Sequence, residues 1–186
     1  MIVKVCGITR REDAVAAVES GASALGFIFY PKSPRCVRPE TAAELGDGLN
    51  AWKVGVFVDE SPAAIAGAMK MARLDVAQIY GDGVPDGVRV WRAYRVAEPG
   101  KPWQIGDCEA LFLDGSANGV SFDWSLARDA GDKVVIAGGL DASNVGDAIR
   151  VARPWGVDAS SGLESAPGIK DHEKVRRFVK AAREAS

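Results

Sequence analysis

The most constraining feature of this chain is a rhythm: short apolar, β-prone runs recur along its 186 residues, separated by helix-like segments or turn-rich loops. Ile2, Val3 and Val5 begin it, and Gly7 ends the run where a turn would start. Residues 11–20 set Ala14, Val15, Ala17 and Val18 at helical spacing, and Gly21 is a natural carboxyl-terminal stop. A second strand is predicted at 24–29 and a long Pro- and Arg-containing loop at 30–39. Pro39 opens a helix at its favoured first position, running to about residue 49. The third strand is 52–58, Ser61-Pro62 caps a third helix, and the fourth strand is 76–79. Further strands are read at 88–96, 110–113, 134–137 and 156–159, with helices at 123–130, 143–152 and 171–185.

Eight strands in βα alternation, with no linker, point to one domain over 1–186, a closed α/β barrel of the (β/α)₈ TIM type. An open doubly wound sheet is the runner-up, but no GxGxxG follows the first strand. The chain is shorter than the ~200 residues usual for such barrels. Two crossovers account for the shortfall. Residues 80–87 are too few for a helix; extended at ~3.3 Å each, they still reach ~26 Å, enough to return along a five-residue strand of ~17 Å. Residues 97–109 contain Pro99-Gly100 and Pro102 and hold at most a turn of helix. The helices after strands four and five (helices α4 and α5 of a regular barrel) are therefore expected to be largely lost or reduced to loops. The bare flank would be covered by Trp91, Trp103 and loop residues, or by a second copy of the chain in a homodimer.

Composition removes several function classes. Lys and Arg number 23 against 25 Asp and Glu, a net charge of −2 with no basic block, so nucleic acid and anionic membranes are not expected partners. Cys6, Cys36 and Cys108 show no CxxC spacing, which argues against a disulfide scaffold or a metal site. Neither a signal peptide nor a spanning apolar run is seen, so a cytoplasmic setting is expected. His172, the single histidine, sits among Lys170, Asp171, Glu173 and Lys174 and reads as a solvated helix residue rather than a catalyst.

In a parallel barrel the carboxyl ends of the strands carry the chemistry. Here those ends include Cys6, Gln78, Arg95, Asp114, Gly138-Gly139 and Asp158-Ala159-Ser160-Ser161-Gly162. Glycine and serine clusters after strands seven and eight are where barrels hold phosphate, on backbone N–H groups and a helix start. Gly138, Gly139, Ser160, Ser161 and Gly162 fit that use, so a phosphorylated small molecule is the expected ligand. Cys6 alone reads first as a core thiol, because free cysteine is among the most buried residues. Asp114-Gly115 alone reads as a turn. Placed on strands one and six, however, a thiol and a carboxyl approach a ligand from different sides and can serve as base and acid. Arg35 is either a solvated loop charge or a fork for a carboxylate.

These pieces, in order, resemble the phosphoribosylanthranilate isomerase family of tryptophan biosynthesis. The resemblance rests on Lys4-Val5-Cys6-Gly7-Ile8-Thr9, on Gly26-Phe27-Ile28-Phe29 with Ser33-Pro34-Arg35, and on Val54-Gly55-Val56-Phe57-Val58. It continues through Gln78 with Gly81-Asp82, Leu113-Asp114, Phe122-Asp123-Trp124 and Ala137-Gly138-Gly139-Leu140 with Asn144-Val145. It ends in Val157-Asp158-Ala159-Ser160-Ser161-Gly162-Leu163-Glu164. It implies a cofactor-free aldose–ketose type isomerase running an Amadori rearrangement, with Asp114 as general acid and Cys6 as general base. By the same resemblance Arg35, Gln78 and Asp158 bind substrate, and the backbone around Gly139 and Ser161-Gly162 takes the phosphate. Tyr80 stands where the family usually has His, Cys36 where it has an aromatic residue, and the loop before Phe122 is short. The alternatives are another isomerase of the phosphate-binding barrels, expected to carry Asp in place of Cys6, and a barrel that only binds a sugar phosphate.

Overall fold

A computed structural model describes residues 1–96, 103, 106–117 and 119–186. Eight parallel strands close into a barrel in chain order: β1 (Ile2–Cys6), β2 (Ala24–Ile28), β3 (Trp52–Val58), β4 (Val76–Tyr80), β5 (Val90–Val96), β6 (Ala110–Gly115), β7 (Val134–Ile136) and β8 (Gly156–Ala159). Closure is made by β1 on β8, with Ile2 opposite Gly156 and Lys4 opposite Asp158. Five α-helices lie among the described residues: α1 (Arg11–Glu19), α2 (Pro39–Gly46), α3 (Pro62–Met71), α4 (Val145–Ala152) and α5 (His172–Glu184). They follow β1, β2, β3, β7 and β8.

Local chemistry explains where the helices start. Pro39 and Pro62 occupy first-turn positions, where the missing N–H costs nothing. The Ser61 hydroxyl accepts from Ala64 N, and the Asp171 carboxylate accepts from Glu173 N and Lys174 N. Strand parity then sorts the side chains into two layers. Val3, Val5, Leu25, Leu111, Leu113, Ile136 and Val157 face outward and are covered by helices, α5 contributing Val175, Phe178, Val179 and Ala182. Burying Phe178 alone stabilises the fold by ~2–3 kcal/mol. The barrel interior is filled by Ala24, Val54, Val76, Trp91, Ala93, Ala110, Phe112, Val135 and Ala137.

Between β4 and β5, residues 81–89 form bends and turns. Arg92 on β5 reaches back to Asp82 in this loop at 2.8 Å and lies over the Tyr94 ring. The outward Ala77 and Ile79 of β4 are packed under Ile65 and Met69 of α3, with Val88 and Cys108 at the edge. Residues 97–102, 104 and 105 of the β5–β6 connection, read from sequence as helix-poor, lie outside the described residues.

Two sequence expectations are corrected, and one element is added that the sequence reading did not include. Trp91 does not cover the flank: it is fully buried inside the barrel, because its partners in register are Gln78 and Ala110, whereas Trp103 packs on the outer layer. The helix read at 123–130 is one 3-10 turn (Trp124–Ala127), capped by Asp123 and followed by Gly131. Residues 164–170 form an antiparallel hairpin, β9 (Glu164–Ala166) and β10 (Ile169–Lys170), turning at Pro167-Gly168 with Gly168 at φ 81°.

Candidate active site

All the residues singled out from sequence meet in one place. A cavity of about 340 Å³ at the carboxyl ends of the strands is lined by Cys6, Arg35, Gln78, Asp114, Gly138, Gly139, Asp158, Ser160, Ser161 and Gly162, together with Tyr30, Lys32, Tyr80 and Arg95. Its size suits a small molecule.

The β1 wall is built by period two. Ile2, Lys4 and Cys6 share one face of the strand, so a lysine and a thiol both point inward. Lys4 is fully buried and its Nζ lies 2.7 Å from Asp158 Oδ1 on the neighbouring strand. Burial would lower the Lys4 pKa, but Asp158 and then Cys6 hold it above the ordinary lysine value. The Cys6 thiol is pushed up by burial; Lys4 opposes this, Asp158 adds to it, and Lys170 opposes it weakly. A buried ammonium is therefore stationed beside the thiol, and it favours the thiolate whenever one forms.

On the facing wall Asp114 ends β6. Burial pushes its carboxyl above the usual range and Asp158 adds to the effect, while Tyr80, Arg95 and the Gly115 N–H pull it back. Tyr80 Oη lies 3.0 Å from Asp114 Oδ2, and Gln78 Nε2 lies 3.2 Å from Tyr80 Oη. Arg95 Nη1 stands 4.0 Å from the same Oδ2. Among the described residues, Gln78 Oε1 and Ser160 Oγ are buried without a hydrogen-bond partner, and both residues line the cavity. Such atoms in a native fold call for an explanation, and a ligand is one.

The glycine turns are forced by close approach. Gly138 and Gly139 have φ of 90° and 63°, and a Cβ on Gly139 would sit 2.8 Å from Gly119 O. A Cβ on Gly162 would fall 2.6 Å from Leu140 O. The two turns are thus packed on one another, and the 3-10 turn Ser161–Leu163 starts at the cavity edge.

Arg35 is not a solvated charge. Its Nε and Nη2 each lie 2.7 Å from the Glu164 carboxylate, a two-pronged pair that leaves Nη1 for a ligand. Lys170 Nζ joins at 2.9 Å from Glu164 Oε1. For Glu164 burial acts upward, but Arg35 and Lys170 outweigh it and hold the carboxyl below the usual value. His172, half-exposed, is bonded through Nε2 to the buried carboxylate of Asp13 at 2.8 Å, far along the chain in α1. It ties α5 to α1 rather than standing free in solvent.

Sequence reasoning gave no role to Lys4, Glu164, Lys170 or Tyr80. A signal existed for Lys4: it lies two residues from Cys6, so one face carries both. Glu164 closes the last quoted motif, yet its partner Arg35 is 129 residues away, and spacing alone says nothing about that pair.

Parallel strands closed into a barrel, with one small-molecule cavity at their carboxyl ends and packed glycine turns after the last two strands, define the class as a (β/α)₈-barrel enzyme. Within it the chain belongs to the N-(5'phosphoribosyl)anthranilate (PRA) isomerase family, whose model matches residues 3–181. The N-(5'-phosphoribosyl)anthranilate isomerase of Solibacter usitatus (strain Ellin6076) is 48% identical over 197 residues, 100% of this chain and 98% of that protein. The phosphoribosyl anthranilate isomerase of Thermus thermophilus superposes with a TM-score of 0.90 at 36% identity, covering 100% of both chains. A phosphoribosyl anthranilate isomerase solved with reduced 1-(o-carboxyphenylamino)-1-deoxyribulose 5-phosphate gives 0.85 at 37% identity, over 99% of this chain and 100% of the other.

Proposed function

We propose that this chain converts N-(5'-phosphoribosyl)anthranilate to 1-(2-carboxyphenylamino)-1-deoxyribulose 5-phosphate by a cofactor-free Amadori rearrangement, a step of tryptophan biosynthesis. The observation that carries the reading is a thiol and a burial-raised carboxyl on separate walls of one cavity, in a chain of this family. Asp114 is the general acid: its proton goes to the furanose ring oxygen, the ring C–O bond breaks, and an iminium forms at C1. Cys6 is the general base. Its thiolate takes the C2 proton that the iminium has acidified, and the C2–H electrons move to give the enolamine, which tautomerises to the ketone. Lys4 lowers the cost of that thiolate. Arg35, held open by Glu164, receives the anthranilate carboxylate through Nη1. Gln78 Oε1 and Asp158 accept from the sugar hydroxyls. Gly138, Gly139, Ser160, Ser161 and Gly162 form the phosphate cradle.

Loss of anthranilate-derivative fluorescence on purified protein, beside Cys6→Ala and Asp114→Asn, tests the assignment. An inactive wild type, or a Cys6 variant with full rate, ends it. The reading includes loss of the regular helices after β4 and β5, supported by the turns at 81–89, and a cytoplasmic homodimer. A related enzyme from Thermotoga maritima is described as dimeric. Sedimentation of a monomer at high protein concentration would rule the dimer out for this chain. No helix among the described residues is long and apolar enough to cross a membrane.

A further inference from the structure

Tyr80 lines the cavity and is held between two of its groups. Its oxygen lies 3.2 Å from Gln78 Nε2 on the same strand and 3.0 Å from Asp114 Oδ2 on β6. Gln78 and Tyr80 are two residues apart and share the inward face, and β4 reaches β6 across the mouth because β5 between them offers Ala93 and Arg95 at that level. The hydroxyl has one proton to give. With the Gln78 amide nitrogen donating to it, that proton goes to Asp114, and Gln78 Oε1 is the atom left without a partner in the cavity. A donor that is itself accepting a hydrogen bond is strengthened.

We propose that Tyr80 is a positioning residue for Asp114: by donating to Oδ2, it confines the transferable proton of the carboxyl to Oδ1. This rests on the acid role given to Asp114 above and assigns it one oxygen and a fixed orientation. Without the hydroxyl, the proton is shared between two oxygens and the carboxyl rotates about its last bond. The other groups facing Asp114 do not do this. The Arg95 guanidinium stands 4.0 Å off on the same Oδ2 and is half-exposed, Asp158 across the barrel acts through its charge, and the Gly115 N–H is backbone. Burial and then the Asp114 charge push the Tyr80 hydroxyl well above its ordinary pKa, so the phenol keeps its proton at any working pH.

A rival arrangement of protons fits the same heavy-atom distances. If the Gln78 amide is turned over, its oxygen accepts from Tyr80, and a protonated Asp114 donates to Tyr80 through Oδ2. The two arrangements predict opposite signs. In the proposed one Tyr80 stabilises the carboxylate, so removing the hydroxyl raises the Asp114 pKa; in the rival one Tyr80 stabilises the acid form, and removal lowers it.

The test is a carboxyl carbon-13 titration of Asp114, identified by its loss in Asp114→Asn, in wild type and Tyr80→Phe. The expected result is an upward move of roughly one pH unit, as for loss of a hydrogen bond to a charged acceptor. No move, or a downward one, overturns the proposal. In wild type alone, the ring carbon bearing the Tyr80 hydroxyl should titrate with the same midpoint as Asp114. Absence of that shared midpoint also overturns it, whether or not Tyr80→Phe folds. In turnover, Tyr80→Phe should lose about tenfold in kcat with KM within about twofold, and lose nothing further in an Asp114→Asn background. Equal losses in both backgrounds mean a merely structural role. If wild type does not turn over phosphoribosylanthranilate, the proposed function fails while the carboxyl titration still decides Tyr80.

Discussion

The same eight strands end in two mouths, and the two are finished in opposite ways. At the amino-terminal mouth, Trp52, Trp91 and Trp155 meet with ring centroids 5.7–6.2 Å apart. Arg89 lies 4.4 Å over the Trp52 ring and Lys133 5.2 Å over Trp155, and Glu109 accepts from both cations. Here bulk fills space and the charges are spent at the surface. At the carboxyl-terminal mouth, Lys4, Asp158, Glu164 and Lys170 are buried, and Asp114 is held above its ordinary pKa. One end gains stability from apolar contact, while the other gives some up to keep charges and an acid out of water.

That contrast can be broken at several points. The largest effect is expected for Asp114→Asn, which should cost ~10²–10⁴-fold in kcat, read by loss of anthranilate-derivative fluorescence. Next, Trp91→Ala at the closed end should cost ~3–5 kcal/mol in urea unfolding, while the folded fraction keeps kcat within a few-fold. A Trp91 variant with intact stability but lost turnover would erase the distinction between the mouths. Glu164→Gln weakens the clamp on Arg35 and should raise KM about tenfold, the ~1.4 kcal/mol of one charge-assisted hydrogen bond, with little change in kcat.

A smaller effect has its sign set by Asp114. Its pKa is raised on folding, so the folded state binds that proton more tightly than the unfolded state does. The carboxyl therefore opposes folding above its folded pKa, and the penalty shrinks as pH falls through that value and is gone below the ordinary carboxylate pKa of the unfolded chain. Asp114→Asn should accordingly melt a few degrees above wild type at pH 8, with the gain shrinking in acid. Last, Arg89→Ala removes a half-exposed cation and should change stability by under ~1 kcal/mol.

Much of this was readable from the chain. Strand parity and Gly or Pro punctuation located every barrel strand to within two residues, because each run is short and bounded. The position of Cys6 and Asp114 at strand ends followed directly. Which way Trp91 points did not, since both faces of a barrel strand are buried, and Trp91-Ala93-Arg95 looks no more internal than Val90-Arg92-Tyr94. Only pairing with Gln78 and Ala110 settles it. The Pro167-Gly168 turn was a visible hairpin signal, but its strands of three and two residues are too short for alternation to register. Tyr80 meeting Asp114 and Arg35 meeting Glu164 are products of closure, and no local pattern encodes them.

Closure also imposes an order in time. Lys4 is made before its countercharge Asp158, which lies 154 positions later. Until β8 docks, an ammonium aimed at the barrel axis has no carboxylate to meet, so the first strand gains little by being enclosed early. A growing chain can pack β1 to β4 against α1, α2 and α3 as an open, curved sheet with Lys4 still hydrated. The seam closes only when β8 is available, and the ion pair then forms together with the cavity. The catalytic pocket is therefore a product of closure, absent from any chain that has not yet made β8.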